Sequence, residues 1–229
     1  FSCGEADYMY HGANRLGANS LLSASYSGRV CGESAVAYCN GLDRSVDAVP
    51  SSAYEAEKKR QDDINKTILN NDGDESPYTL HRELGDIMTE HVNVVRRNDA
   101  LEGAISDIKD LQDRFKRASI QASNGWADQS LMDARQIHDM LGLGEVITAS
   151  ALARDECRGA HYKPDFELKI PEGKFPGDPE FEEYREKWKK NNDEWLKETI
   201  SEHTPDGPKI SFRDVDISVL PPEQPRDYR

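Results

Sequence analysis

The sequence predicts a mainly α fold closed by a small C-terminal β element, and three observations carry that expectation. Apolar residues recur at helical spacing through most of residues 76–154. Start and stop signals punctuate those stripes: Ser76-Pro77, Asn98-Asp99, Asn124-Gly125 and Arg158-Gly159. Period-two alternation occurs only near the end, where Val215, Ile217 and Val219 alternate with Asp214, Asp216 and Ser218. The 229 residues suffice for one large or two small domains. With 36% hydrophobic and 31% charged residues and a mean hydropathy of −0.80, the core is lean and much of the chain is solvated surface.

Residues 1–10 are expected to be the end of a strand and a loop. Gly4-Glu5 is followed by the string His11-Gly12-Ala13-Asn14-Arg15-Leu16-Gly17-Ala18-Asn19-Ser20-Leu21-Leu22. Four small residues surround one arginine. Gly and Ala let the main chain approach a planar or anionic ligand, and Arg15 supplies a forked, permanent cation. Asn19-Ser20 opens a helix whose free N–H groups favour negative charge. The plainer alternative is a glycine-bearing turn before a surface helix, with Arg15 solvated. The helix runs from Asn19 or Ser20 to Asn40, reads as buried, and stops at Asn40-Gly41. Ser27, Gly28 and Gly32 suggest close packing against another backbone. The polar stretch 43–52, with Pro50, marks a boundary, which divides the chain into 1–45, 46–157 and 158–229.

A charge-rich helix is expected over 53–71, broken by Asn70-Asn71-Asp72-Gly73-Asp74. The next starts at Ser76-Pro77 and carries Leu80, Leu84, Ile87, Met88, His91 and Val95. Asp99 with Glu102 resembles a capping box before the stripe Leu101, Ala104, Ile105, Ile108, Leu111 and Phe115. After the Asn124-Gly125 turn, a helix over 127–154 presents Leu131, Ala134, Ile137, Leu141, Gly144, Ile147 and Ala151. Short breaks between amphipathic helices predict an antiparallel bundle. His91 and His138 read as structural histidines. Gly142-Leu143-Gly144 lies inside a helical pattern, so it is no nucleotide loop.

Arg158-Gly159 reads as a helix C-terminus, and His161 beyond it as either a ligand or a hydrogen-bonded turn residue. Residues 167–194 read as a surface insertion with a short helix over 181–190. A strand over 195–202, a turn at Thr204-Pro205-Asp206-Gly207 and the alternating strand at 214–219 complete the chain, which Pro221, Pro222 and Pro225 lead into a tail.

Charge narrows the function classes. A net charge of −14 and a pI of about 4.9 argue against nucleic acid, whose phosphates demand clustered cations. No run reaches the roughly 20 apolar residues of a membrane span, and no signal-peptide pattern is present. The start at Phe1, without an initiator Met, reads as a piece of a longer protein. Cys3, Cys31, Cys39 and Cys157 lack metal-ligand spacing. Cys31 and Cys39 lie about 12 Å apart along one helix, beyond disulfide reach, so free thiols are the expected state.

Gly4-Glu5-Ala6 with HGANRLGANSLL resembles the flavin- and dicarboxylate-contacting segment of the succinate dehydrogenase/fumarate reductase flavoprotein subunits. Asp155-Glu156-Cys157-Arg158-Gly159-Ala160-His161-Tyr162-Lys163-Pro164-Asp165-Phe166 resembles that family's SRGAHxRxD element, with Cys157 for Ser and Lys163 for Arg. The C-terminal strand and tail resemble the family's ending. The resemblance implies that residues 1–45 are the terminal piece of a flavin-binding α/β domain. It implies FAD as cofactor in the complete protein and hydride transfer between succinate or fumarate and the flavin. Electrons would pass to an iron–sulfur subunit, a membrane anchor subunit and quinone. The complex would sit peripherally at the cytoplasmic face of the inner membrane, if bacterial. Arg15 matches the arginine that grips a substrate carboxylate; Glu5 matches a glutamate contacting the FAD ribityl or ribose region. Ser20 and Leu21 match the helix-start positions facing the flavin pyrimidine edge. His11 and Asn14 have a shaping role. No catalytic proton-transfer residue and no metal ligand is assigned, so the 229 residues alone are expected to be inactive. L-aspartate oxidase, which shares the HGANR loop, and a non-catalytic helical interaction module are the alternatives.

Overall fold

The computed structural model describes residues 1–7, 11–15, 17–121 and 128–218. Among them are six α-helices and one two-stranded sheet, as the mainly α expectation requires. The Asn124-Gly125 turn and the Pro221–Pro225 tail fall outside the described residues. The chain forms two compact units, Phe1–Thr67 and Ile68–Arg229.

In the first unit, residues 1–7 contain a 3-10 turn, Gly4–Ala6, rather than the end of a strand. The turn packs along helix α1 (Asn19–Asn40), where the Gly4 N–H donates to Ser27 Oγ at 2.9 Å. A strand there would need a ladder partner, and this segment's hydrogen bond goes to a helix side chain instead. Ser27 therefore meets a backbone as expected, whereas a Cβ on Gly28 or Gly32 would touch nothing. No residue of α1 is buried, which overturns the buried-helix expectation. Leu21, at 83% exposed, and Leu22, Tyr26 and Val36 are apolar without being covered. Composition shows what a helix could bury, but not which surface meets it. Helix α2 (Ser51–Leu69) carries pairs such as Lys58–Asp62 at 2.5 Å and Arg60–Glu57 at 2.8 Å, and its one buried residue, Ile68, is the first residue of the second unit.

The second unit is built on α3 (Pro77–Ile87), α4 (Asn98–Phe115) and α5 (Gln129–Leu152). Their expected stripes meet in two clusters. One holds Leu80, Leu84, Ile108, Leu111, Ile137 and Leu141; the other holds Val92, Leu101, Ala104 and Ala151. Gly144 lies inside α5, where a Cβ would stand 3.3 Å from Leu84 Cδ1, so its smallness serves helix packing. Val95 leaves the expected stripe. The helix widens into a π turn over Met88–Val92 and stops, and Val95 bridges to Tyr162 instead. The predicted caps differ in detail. Ser76 makes no side-chain cap, and α4 starts one residue before Asp99, whose carboxylate accepts from Ala100 N at 2.9 Å. Asp128 caps α5 by accepting from the Ser130 and Leu131 N–H groups.

α5 ends at Leu152, six residues before Arg158. Arg158-Gly159 is thus no helix end but part of a tight turn: Arg158 N donates to His161 O at 2.8 Å and His161 N to Arg158 O at 3.0 Å, with Gly159 at φ 58°. The turn crosses a polar junction centred on Glu156, which is 0% exposed. Glu156 accepts from Arg154 Nε at 2.7 Å, Arg158 Nε at 3.0 Å and Asn191 Nδ2 at 3.1 Å. Arg154 also donates to Trp195 O, to Lys197 O at 2.8 Å and to Thr199 Oγ1 at 3.1 Å. These bonds fix helix α6 (Pro179–Trp195) and strand β1 (Lys197–Thr204) against the end of α5. α6 outruns the short helix expected at 181–190 because Tyr184 and Asn192 are buried, which anchors its length.

Strand β2 is Gly207–Asp214, paired antiparallel with β1 from Thr204↔Gly207 to Lys197↔Asp214. The expected turn at 204–207 is present, but the expected strand at 214–219 is not: residues 215–218 lie outside any strand and Val219 outside the described residues. A two-residue hairpin places the partner strand directly after the turn, so GPKISFRD takes the pairing and the later alternation has no ladder to join.

Glu156→Ala should lower stability by about 3–5 kcal/mol, because two arginines lose a buried counter-charge. A lower urea midpoint of unfolding is the readout; a shift below about 1 kcal/mol would show that the junction contributes little.

Candidate functional site

The loop resolves into a cleft of about 430 Å³ in the first unit, lined by Glu5, His11, Asn14, Arg15, Ser20 and Leu21. All four residues singled out from the sequence as binding residues share this cleft. Local backbone makes it. Gly12 has φ 62°, a left-handed conformation that glycine adopts without strain. Ala18, at φ 64°, is the one described non-glycine residue with positive φ. It makes the turn into α1 and offers no side-chain cap, so the first-turn N–H groups are left to other acceptors.

His11 fastens the loop to the helix. Ser23 Oγ lies 2.9 Å from His11 Nε2, 2.7 Å from Asn19 O and 3.0 Å from Ser20 O. The carbonyls only accept, so the hydroxyl donates to the helix and accepts from His11 Nε2–H. Sequence reading placed His11 in a shaping role but missed Ser23 as its anchor. The available signal was a hydroxyl one turn into the helix, on the same face as Ser20. Arg15 Nη1 stands 3.7 Å from Glu5 Oε1, with the side chains 51% and 89% exposed. Such a solvated pair contributes about 0–1 kcal/mol, so it does not commit Arg15 against another carboxylate. Asn19 Oδ1 is buried without a hydrogen-bond donor among the described residues. This acceptor would be satisfied by a group bringing an N–H.

The second string builds a structural junction. His161 Nε2 lies 2.8 Å from Arg154 O and its Nδ1 2.6 Å from Arg96 Nη1. A carbonyl accepts and a guanidinium donates, so the ring is neutral with its proton on Nε2. Both nitrogens are engaged, which decides between the two sequence readings in favour of the hydrogen-bonded turn residue. Burial pushes the His161 pKa down, and the charges of Arg96, Lys163 and Arg154 add to that. Lys163, 1% exposed, donates to Leu152 O and Asp155 Oδ1, both at 2.9 Å. It therefore places a buried cation at the α5 C-terminus. Cys157 Sγ donates to Lys163 O at 3.0 Å, a position a serine hydroxyl could also serve.

Among the described residues no three His, Cys, Asp or Glu side chains gather as metal ligands. Nor is any described helix long and apolar enough to cross a membrane.

Residues 81–228 match the family described as the fumarate reductase flavoprotein C-terminus. The chain is 43% identical to the Bacillus subtilis succinate dehydrogenase flavoprotein subunit, over 100% of this chain and 36% of that protein. It is 30% identical to the Escherichia coli fumarate reductase flavoprotein subunit, over 97% of this chain and 33% of that protein. An E. coli quinol fumarate reductase structure superposes with a TM-score of 0.72 at 28% identity, covering 93% of this chain and 33% of its own. The Mycobacterium smegmatis Sdh1 complex superposes with a TM-score of 0.64, covering 72% and 27%. The chain thus spans about a third of the length of these relatives.

The neutral His161 has a pH signature. In the unfolded chain histidine titrates near about pH 6.5, and in the fold its pKa is depressed. The unfolded state therefore binds the extra proton first. Stability is intact above about pH 6.5 and falls as pH drops from there toward the folded pKa. His161→Gln retains one donor and one acceptor but cannot titrate. Its urea midpoint should decline less than the parent's between about pH 7.5 and about pH 5.5; parallel declines would refute the neutral-ring assignment.

Proposed function

The chain belongs to the succinate dehydrogenase/fumarate reductase flavoprotein family, and on that premise we propose that it is the C-terminal part of an FAD-dependent subunit interconverting succinate and fumarate. The observation that carries the reading is one cleft shared by Glu5, Arg15, Ser20 and Leu21. On this reading residues 1–45 end the flavin-binding domain, 46–157 form the helical bundle and 158–229 the extension. Electrons pass on to an iron–sulfur subunit, a membrane anchor subunit and quinone; in a bacterium the complex sits peripherally at the cytoplasmic face of the inner membrane. The names carried by the relatives support this over the L-aspartate oxidase and interaction-module alternatives.

The chemistry divides among named groups. Arg15 grips one carboxylate of the dicarboxylate with two parallel N–H donors and holds the substrate carbon in place, which a lysine point charge does less well. The N–H groups of Ser20 and Leu21 at the α1 start stabilise negative charge at a flavin pyrimidine edge. Glu5 accepts from ribityl or ribose hydroxyls, and the buried Asn19 Oδ1 takes an N–H donor. The donor set therefore fits one edge of FAD. When bound, FAD supplies the hydride chemistry at the substrate carbon. His11, through Ser23, keeps the Arg15 loop at the helix start. Proton transfer at the substrate is assigned to no residue here, so the 229 residues alone are not expected to turn over.

In the complete protein, Arg15→Ala should lower kcat/KM by at least about 100-fold while the ratio of flavin to protein absorbance stays nearly constant. Loss of flavin in step with activity would sink the substrate role.

A further inference from the structure

Arg96 follows the π turn Met88–Val92 and is half-buried. Its Nε donates to Val92 O at 2.7 Å and its Nη1 to His161 Nδ1 at 2.6 Å. Both acceptors are neutral. Among the described residues no carboxylate pairs with Arg96, and its Nη2 has no acceptor. The neighbouring cations differ: Arg97 pairs with Asp165 at 3.4 Å, Arg154 with Glu156 at 2.6 Å and Lys163 with Asp155 at 2.9 Å. In a chain of net charge −14, this half-buried cation is the one of the four without a counter-charge among the described residues. Burial pushes its pKa down. Arg96 lines a cavity of about 270 Å³ together with Met88, Thr89, Val92, Asn93 and Ile147. Met88, Val92 and Ile147 make it apolar on one side, while Thr89 and Asn93 bring a hydroxyl and an amide. Three of these residues belong to the π turn, an irregularity found often at functional sites.

We propose that Arg96 is the centre of a second anion site, which takes a short-chain monocarboxylate such as acetate or propionate. The carboxylate supplies the missing counter-charge and accepts from Arg96 Nη2, a charge-assisted bond about twice as strong as a neutral one. The Asn93 amide or the Thr89 hydroxyl donates to the carboxylate as well, and the short alkyl body rests on Met88, Val92 and Ile147. Two nitrogens of the guanidinium are already committed, so one edge remains and one carboxylate fills it. A dicarboxylate would carry its second charge toward the apolar side of the cavity and lose hydration there without a partner, so the site selects monoacids. It lies within the second unit, stands on the geometry around Arg96 and does not depend on the flavin reading.

The test records the fluorine NMR line width of fluoroacetate mixed with the complete protein carrying Arg15→Ala, so that the carboxylate grip proposed for Arg15 adds nothing to the signal. The line should broaden, and propionate should sharpen it again, whereas propionamide and succinate at the same concentration should not. Adding Arg96→Gln should return the line to the width of the free probe. Arg96 also bonds Val92 and His161, so circular dichroism checks that this variant folds. Asn93→Asp, which keeps the shape of the side chain and puts a carboxylate beside Arg96, gives a second reading: it too should return the line to the free width. A line that never broadens would overturn the proposal. So would broadening that survives in folded Arg96→Gln or in Asn93→Asp, or that propionamide or succinate removes as well as propionate does.

Discussion

A carboxylate with no exposed surface holds the second unit together. Glu156 is costly to bury, and the fold offsets that cost with guanidinium groups from both flanks, Arg154 and Arg158, and an amide from Asn191. Each partner is itself committed elsewhere. Arg154 reaches the carbonyls of Trp195 and Lys197, and Arg158 reaches Asn192 Oδ1 at 2.7 Å. One buried charge thereby decides where α5 hands over to the turn, how α6 lies and where β1 begins. Apolar packing alone would leave these elements free to slide, since the hydrophobic effect is non-directional while a multiply bonded carboxylate accepts few geometries.

The first unit is organised on a different principle. None of its α1 residues is fully buried, so the cleft is shaped by backbone conformation and a few polar bonds. Gly12 and Ala18 at positive φ bend the loop over the helix start, and His11 pins it through Ser23. A non-glycine residue at positive φ costs about 1–2 kcal/mol, and the strain falls where the first-turn N–H groups open onto the cleft. That coincidence of strain, a loosely held arginine and free helix donors is what a preorganised anion site requires. These features fit an anionic ligand.

The stripes of α3, α4 and α5 were legible because burial on one face imposes a 3.6-residue period that composition cannot hide. Leu80, Leu84, Ile108, Leu111, Ile137 and Leu141 needed no structure to be found. The cleft residues were singled out on two grounds: small residues around Arg15 before a helix start are a local pattern, whereas Glu5, Ser20 and Leu21 came from the family resemblance. What failed was non-local. Arg158-Gly159 read as a helix end because Asn191 and Asn192, which hold Glu156 and Arg158 in place, lie on α6. The strand at 207–214 was missed because pairing, rather than alternation, selects a strand.

By itself the sequence determined the helical periods and the hairpin turn at 204–207, since each follows from neighbours within a few positions. Tertiary structure alone decided that Lys163 and Glu156 are buried, that His161 is a neutral turn residue, and that no residue of α1 is buried. Those outcomes depend on which groups from distant parts of the chain arrive within a few ångströms. The free energy of a charge or a ring proton is set by that arrival and not by the residue type.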